Sequence, residues 1–201
     1  MKIRVILFDL GNVLIEWNPA PLLDRLLYAV EIEDKPFIKN CFKEWNQEWD
    51  RGRLSDGVTA KSKEFPSYAT LMHAYHDHWI ETLGQPIAST VDVLQQLRSS
   101  GYKLYAASNW AADTFELAKP RLPFLSLFHG IQISGQIGFI KPEAAFFQRM
   151  MAVYAFMPQE AMFIDDQDTN VQAARSLGIS SIQFRNPDQL RHDLKNYNIF
   201  R

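Results

Sequence analysis

The sequence predicts an α/β fold in which a central parallel sheet is sandwiched by helices, with a helical insert after the first strand. Three observations predict it. Five short apolar runs, IRVILFD, KLYAASN, HGIQIS, AMFIDD and SSIQF, are continuous rather than alternating, as in strands covered on both faces. Helical patterns separate most of these runs, which suits crossovers between parallel strands. The alternation fails once, between the first run and TVDVLQQL, where several helical segments take the place of a strand.

The bulk properties set limits. A chain of 201 residues holds one compact core with room for a small accessory domain, and 47% apolar, 22% charged and 13% aromatic residues argue against disorder. A net charge of -2 supplies no basic field for a phosphate backbone, so nucleic acid is not an expected partner. The single cysteine, Cys41, rules out an internal disulfide framework and a multi-thiolate metal site, and is read as packing in the insert. No apolar run approaches the roughly 20 residues of a membrane helix, and MKIRVILFDLG meets an acid too early for a signal peptide. A cytoplasmic monomer or dimer without a membrane partner is expected.

Taken in order, the first strand runs through VILF and stops at Asp9, before a turn at Gly11 and Asn12. The interval from Glu16 to Pro86 shows no convincing strand. It reads as helices through APLLDRLLYAV, PFIKNCFKEWNQEW and SYATLMHAYHDHW, and is too long for one crossover helix. The expected division is therefore a core of residues 1–15 and 87–201 with a helical cap of residues 16–86. TVDVLQQLRSSG is a helix ending at Gly101, and NVQAARSLGI is one ending at Gly178. Pro142 and Pro187 stand where helices would begin.

Open parallel sheets bind ligands beyond the carboxyl ends of their strands. The strand ends here deliver Asp9, then Ser108 and Asn109, then Lys141 from the following loop, then Asp165 and Asp166. Asp9 beside Asp166 suits a hard cation such as Mg2+, which takes one or two carboxylates and fills its octahedron with other oxygens. A cation and Lys141 would also keep three mutually repelling carboxylates ionised. Ser108, the amides after it and Lys141 suit the oxygens of a phosphoryl group, and Asp9 is left free to attack.

Four ordered motifs, ILFDLGNVL, LYAASNW, GFIKPEAAFF and MFIDDQDTNVQAA, resemble those of the haloacid dehalogenase superfamily across the whole chain. The resemblance implies a Rossmann-like core in which Asp9 becomes an aspartyl-phosphate and Lys141 serves catalysis. It implies phosphate binding at Ser108, Asn109 and Lys141. It places Mg2+ on the Asp9 side chain, the Gly11 carbonyl and Asp166, with Asp165 and Asn170 as outer support. Asn170 would orient Asp166 or Lys141, or simply start a helix. The implied activity is Mg2+-dependent hydrolysis of small phosphorylated metabolites, sugar phosphates such as glucose 1-phosphate among them.

One position departs from the family pattern. Most of its phosphatases carry a second aspartate two residues after the nucleophile, as general acid and base, and here that position is Gly11. A positioned acid contributes roughly 10²- to 10⁴-fold, so good leaving groups are expected, with sugar 1-phosphates ahead of 6-phosphates. A left-handed backbone at Gly11 would bar a replacement side chain. The gap leaves two alternatives: a non-catalytic phospholigand- or partner-binding protein, and a metal-independent 2-haloacid dehalogenase. The adjacent acids of FIDDQDTN argue against the dehalogenase, because without a metal they would oppose an attacking carboxylate.

Among the remaining candidates, HAYHDHW has metal-like histidine spacing but reads as the polar face of a helix. In EWNQEWDRGRLS, packing is the favoured role for Trp45 and Trp49, and the loop around Asp50 is the first place to seek the missing proton donor. Trp17 and Trp110 are pocket candidates.

Overall fold

A computed structural model describes residues 2–29 and 35–200. The chain opens with β1 (Val5–Phe8) and β2 (Ile15–Trp17), then α1 (Ala20–Tyr28), α2 (Lys35–Trp49), α3 (Leu54–Glu64) and α4 (Ala69–His78). It continues through β3 (Leu83–Pro86), α5 (Ala88–Ser99), β4 (Lys103–Ser108), α6 (Ala112–Ala118), β5 (Gly130–Ile133) and α7 (Ser134–Ile137). Last come α8 (Ala144–Tyr154), β6 (Ala161–Asp165), α9 (Asp168–Ser176), β7 (Ser180–Gln183) and α10 (Pro187–Asn196).

Five strands form one sheet in the order β5-β4-β1-β6-β7, and every pairing is parallel. They are the five apolar runs. Both faces of each central strand are buried, which is why the runs do not alternate: Ile6, Phe8, Leu104, Ala106, Met162 and Ile164 face one core. Val5, Leu7, Tyr105, Ala107, Ala161 and Phe163 face a second, filled by Phe146, Phe147 and Met150 of α8. The register sets Phe8 opposite both Ala106 and Ile164, so the three central strands finish at one edge.

The first core continues into the helical insert, where Phe42, Trp45, Trp49 and Tyr75 pack ring to ring, with Phe42 5.1 Å from Tyr75 and 5.2 Å from Trp45. The expectation of a strandless interval needs correction. β2 and β3 pair antiparallel, Ile15 with Pro86 and Trp17 with Leu83, and stand at the two ends of the insert. Three- and four-residue strands carry too little periodicity to read, and LGQP contains a glycine and a proline that argue against one.

Gly101 and Gly178 follow α5 and α9 with φ of 86° and 82°, a conformation glycine adopts without penalty. Pro187 is the first residue of α10, capped by Asn186, which accepts from the Gln189 N–H at 2.9 Å. Pro142 does not begin a helix; α8 starts two residues later, after Glu143. Two histidines of the insert find acids beside them, His76 with Asp77 at 3.1 Å and His78 with Glu81 at 2.7 Å. Among the described residues no helix is long and apolar enough to cross a membrane.

Candidate active site

The shared strand edge gathers the chemistry. The Asp9 N–H donates to the Ile164 carbonyl at 2.9 Å, which fixes the end of β1 against β6 and sets Asp9 beside Asp165. Lys141 Nζ joins them, 2.8 Å from Asp9 Oδ1 and 2.6 Å from Asp165 Oδ2. All three residues are buried. Asn109 clamps the loop that carries the lysine: its Oδ1 accepts from the Lys141 N–H at 2.7 Å, and its Nδ2 donates to the Lys141 carbonyl at 2.9 Å. A phosphate-binding candidate on sequence, Asn109 thus has its side-chain amide engaged on main chain.

Asp165 is held on every side. It accepts from Lys141, from the Gln167 N–H at 2.8 Å and from Asn170 Nδ2 at 3.1 and 3.2 Å. Asn170 was expected to orient Asp166 or Lys141; it reaches Asp165, one turn back across the start of α9. Asp166 is half-buried, and Gln167 Nε2 donates to its carboxylate at 2.7 Å.

The electrostatics of the edge favour a cation beside the acids. Burial pushes the Asp9 carboxyl up to about 7 despite the opposing pull of Lys141, and the Asp165 charge adds to the rise. Burial, then Asp165, likewise raises Asp166. Burial works against the charge on Lys141, yet the carboxylates of Asp165 and Asp9 hold it above the ordinary lysine range. Asp9, Asp165 and Asp166 each offer an oxygen within 4.8 Å of the others. With Asp165 already saturated by donors, Asp9 and Asp166 are the oxygens that fit a hard divalent cation, which would reverse both upward shifts.

After Asp9 the chain turns back sharply. The Asn12 N–H donates to the Ile15 carbonyl at 2.7 Å, and Asn12 Oδ1 accepts from the Trp17 N–H at 3.0 Å. The left-handed residue of this turn is Asn12, with φ 56°, and not Gly11. A Cβ at Gly11 would meet only Trp17 Cβ, at 4.0 Å.

Ser108, at the end of β4, lines a cavity of about 570 Å³ with Asp9, Asp166 and Lys141 at its floor. The walls come from Trp17 of β2, Leu23 of α1, Phe42 of α2, Tyr75 of α4 and Trp110 beyond β4. Of the amides after Ser108, that of Trp110 is taken by Ser134 Oγ at 2.8 Å. Ser134 also donates to the Asp50 carbonyl at 2.5 Å, and Asp113 accepts from the N–H groups of Leu54 and Ser55 at 2.8 and 3.0 Å. Neither Ser134 nor Asp113 was anticipated from sequence, because each acts on main chain of a segment distant in the sequence. Asp50 enters the same cavity from the insert, and burial pushes its carboxyl up to about 7.

The chain is 28% identical over 201 residues to drimenol cyclase drtB of Aspergillus calidoustus, a match covering 96% of this chain but only 36% of that longer protein. It is 26% identical to sesquiterpene phosphatase astK of Aspergillus oryzae, over 88% of this chain and 87% of the relative. Among solved structures, HAD family enzyme bt-2542 of Bacteroides thetaiotaomicron, in complex with magnesium and inorganic phosphate, superposes with a TM-score of 0.72 at 20% identity. That match covers 92% of this chain and 95% of the other. The family model for haloacid dehalogenase-like hydrolases matches residues 6–184, and the chain belongs to that family.

Proposed function

We propose that this hydrolase is a Mg2+-dependent phosphomonoesterase that works through phosphorylation of Asp9. The observation that carries the reading is the bridge of Lys141 Nζ between Asp9 and Asp165 at 2.8 and 2.6 Å, next to a third acid. An ammonium has three donors, so one remains for a phosphoryl oxygen after both bonds are made. The Ser108 hydroxyl and the Asn109 N–H are the further donors, and the Asp9 oxygen not held by the lysine attacks phosphorus. Asp9, Asp166 and the Gly11 carbonyl would hold Mg2+, which when bound supplies the charge that keeps the two carboxylates ionised and offsets that of the phosphate. A neighbour of the same fold, bt-2542, is in complex with magnesium and inorganic phosphate, which is consistent with these two ligands here. Residues 16–86 form the cap in this reading.

The substrate follows from the cavity walls. On leaving-group grounds a sugar 1-phosphate such as glucose 1-phosphate was expected. Trp17, Leu23, Phe42, Trp79, Trp110 and Ile140 nonetheless present mainly apolar surface, against which sugar hydroxyls would lose water and find few partners, Lys39, Lys43, Asn46 and Gln47 being the polar exceptions on the insert. These walls favour a phosphomonoester with an apolar body, and the sesquiterpene phosphatase among the relatives is consistent with one. Steady-state hydrolysis of farnesyl monophosphate, glucose 1-phosphate and glucose 6-phosphate, with Mg2+ and with EDTA, tests both parts. Metal-dependent turnover with the highest kcat/KM on the apolar ester is expected. A preference for glucose 1-phosphate restores the sugar reading, phosphate binding without turnover makes the chain a non-catalytic binder, and halide release from 2-haloacids without metal makes it a dehalogenase.

A further inference from the structure

Gly11 leaves the strand that carries Asp9 without a proton donor, and the insert delivers an acid to the same cavity. Asp50 follows the last residue of α2, and the segment it begins is tied to the sheet body at four points. Ser134 Oγ donates to the Asp50 carbonyl at 2.5 Å, and Arg51 pairs with Glu143 at 2.5 Å. The Ala112 N–H donates to the Gly52 carbonyl at 2.8 Å, and Asp113 takes the amides of Leu54 and Ser55. The carboxylate itself accepts from the Ala111 N–H. Among the described residues no lysine or arginine lies within ion-pair distance of it, and it stands outside the trio of acids that fits a cation. A carboxyl on a segment fixed this firmly, lining the same mainly apolar cavity as the nucleophile, close enough to feel its charge and with no cation at ion-pair distance, is placed for proton transfer.

We propose that Asp50 is the general acid and base of the reaction, supplied by the insert in place of the acid missing at position 11. The inference rests on the phosphomonoesterase reading. In the first half-reaction Asp9 attacks phosphorus and the P–O bond to the leaving group breaks. The electron pair goes to the leaving oxygen, which takes the proton of Asp50 and departs as an alcohol. In the second, the Asp50 carboxylate takes a proton from water as the water oxygen attacks the aspartyl-phosphate. The bond to Asp9 breaks, inorganic phosphate leaves, and Asp50 is again protonated. The groups facing Asp50 are compatible with this cycle: burial sets its carboxyl near neutrality, the Ala111 N–H and Lys141 pull it down, and Asp9 pushes it up. Tyr75 of α4 also lies close enough to feel its charge, and burial keeps that phenol protonated.

The test is the dependence of kcat/KM on the leaving group, which reports the first half-reaction. With p-nitrophenyl phosphate, whose leaving group needs no proton, Asp50→Asn should stay within about tenfold of wild type, whereas an alkyl phosphate should lose roughly 10²- to 10⁴-fold. Adding Gly11→Asp to Asp50→Asn supplies an acid from another lining position with room for a side chain, and should recover at least about tenfold of the alkyl rate. An equal loss on both substrates, no loss on either, or no recovery in the double variant overturns the assignment and leaves Asp50 a brace for the Ala111 amide. If wild type shows no Mg2+-dependent turnover of either ester, the phosphomonoesterase reading itself fails, an outcome separate from all of these.

Discussion

Lys141 holds together two buried acids that would otherwise repel one another, so its loss acts on stability as well as on chemistry. Lys141→Ala leaves Asp9 and Asp165 uncompensated, and breaking a buried pair in this way costs about 3–5 kcal/mol. Urea unfolding of the metal-free protein should show a loss of that size along with abolished turnover. Asp9→Asn retains the volume and removes the nucleophile; its kcat should fall by at least about 10⁴-fold while Mg2+-dependent phosphate binding, measured by calorimetry, persists. That Asp9, Ser108, Asp165 and Asp166 meet at one edge was legible in the sequence because each ends or follows an apolar run at a strand end, where a polar group has no packing role; Lys141 lies in the loop beyond α7 and was legible only through its motif. Asp50 was harder to read, because its neighbours Trp45 and Trp49 are packing residues and nothing local shows that the turn meets the sheet. The partners of Asn109 and Asn170 were equally hidden, since an amide's hydrogen bonds follow from tertiary placement rather than from spacing.

At the scale of elements, the contact between insert and sheet body depends on one glycine. A Cβ at Gly135, in α7, would lie 2.4 Å from both the Gly52 carbonyl oxygen and the Ala112 nitrogen, atoms of main chain on two separate segments. Gly135→Ala should therefore cost about 1–3 kcal/mol by overpacking and, by displacing the Asp50 segment, reduce kcat. Gly52→Ala, whose Cβ would meet nothing within 4 Å, is the matched control and should leave both thermal unfolding and kinetics close to wild type. The five sheet strands could be read from sequence because burial on two faces makes each one continuously apolar. The β2–β3 ribbon could not, because its few residues gain their pairing only from being brought together by the insert between them.

For the whole molecule, the acids of the site make stability depend on pH and metal together. Asp9 titrates at about 7 in the folded protein against an ordinary 3.8, and Asp166 is also raised, so without metal the folded state keeps protons that the unfolded state has released. These groups thus favour folding most below about 3.8, and that contribution is lost as pH rises towards about 7. A cation binds the deprotonated pair, so the Mg2+-induced rise in Tm should be larger at pH 8 than at pH 5, and Asp166→Asn should flatten the difference in a thermal shift assay.

Everything proposed for the site depends on phosphate passing through Asp9. Rapid acid quench during turnover of p-nitrophenyl phosphate with Mg2+, followed by peptide mass analysis, tests it most directly. A phosphorylated peptide with the modification on Asp9 is expected, absent when EDTA is present and absent in Asp9→Asn. Sustained Mg2+-dependent turnover by Asp9→Asn, or a phosphoryl group carried on another residue, would contradict it.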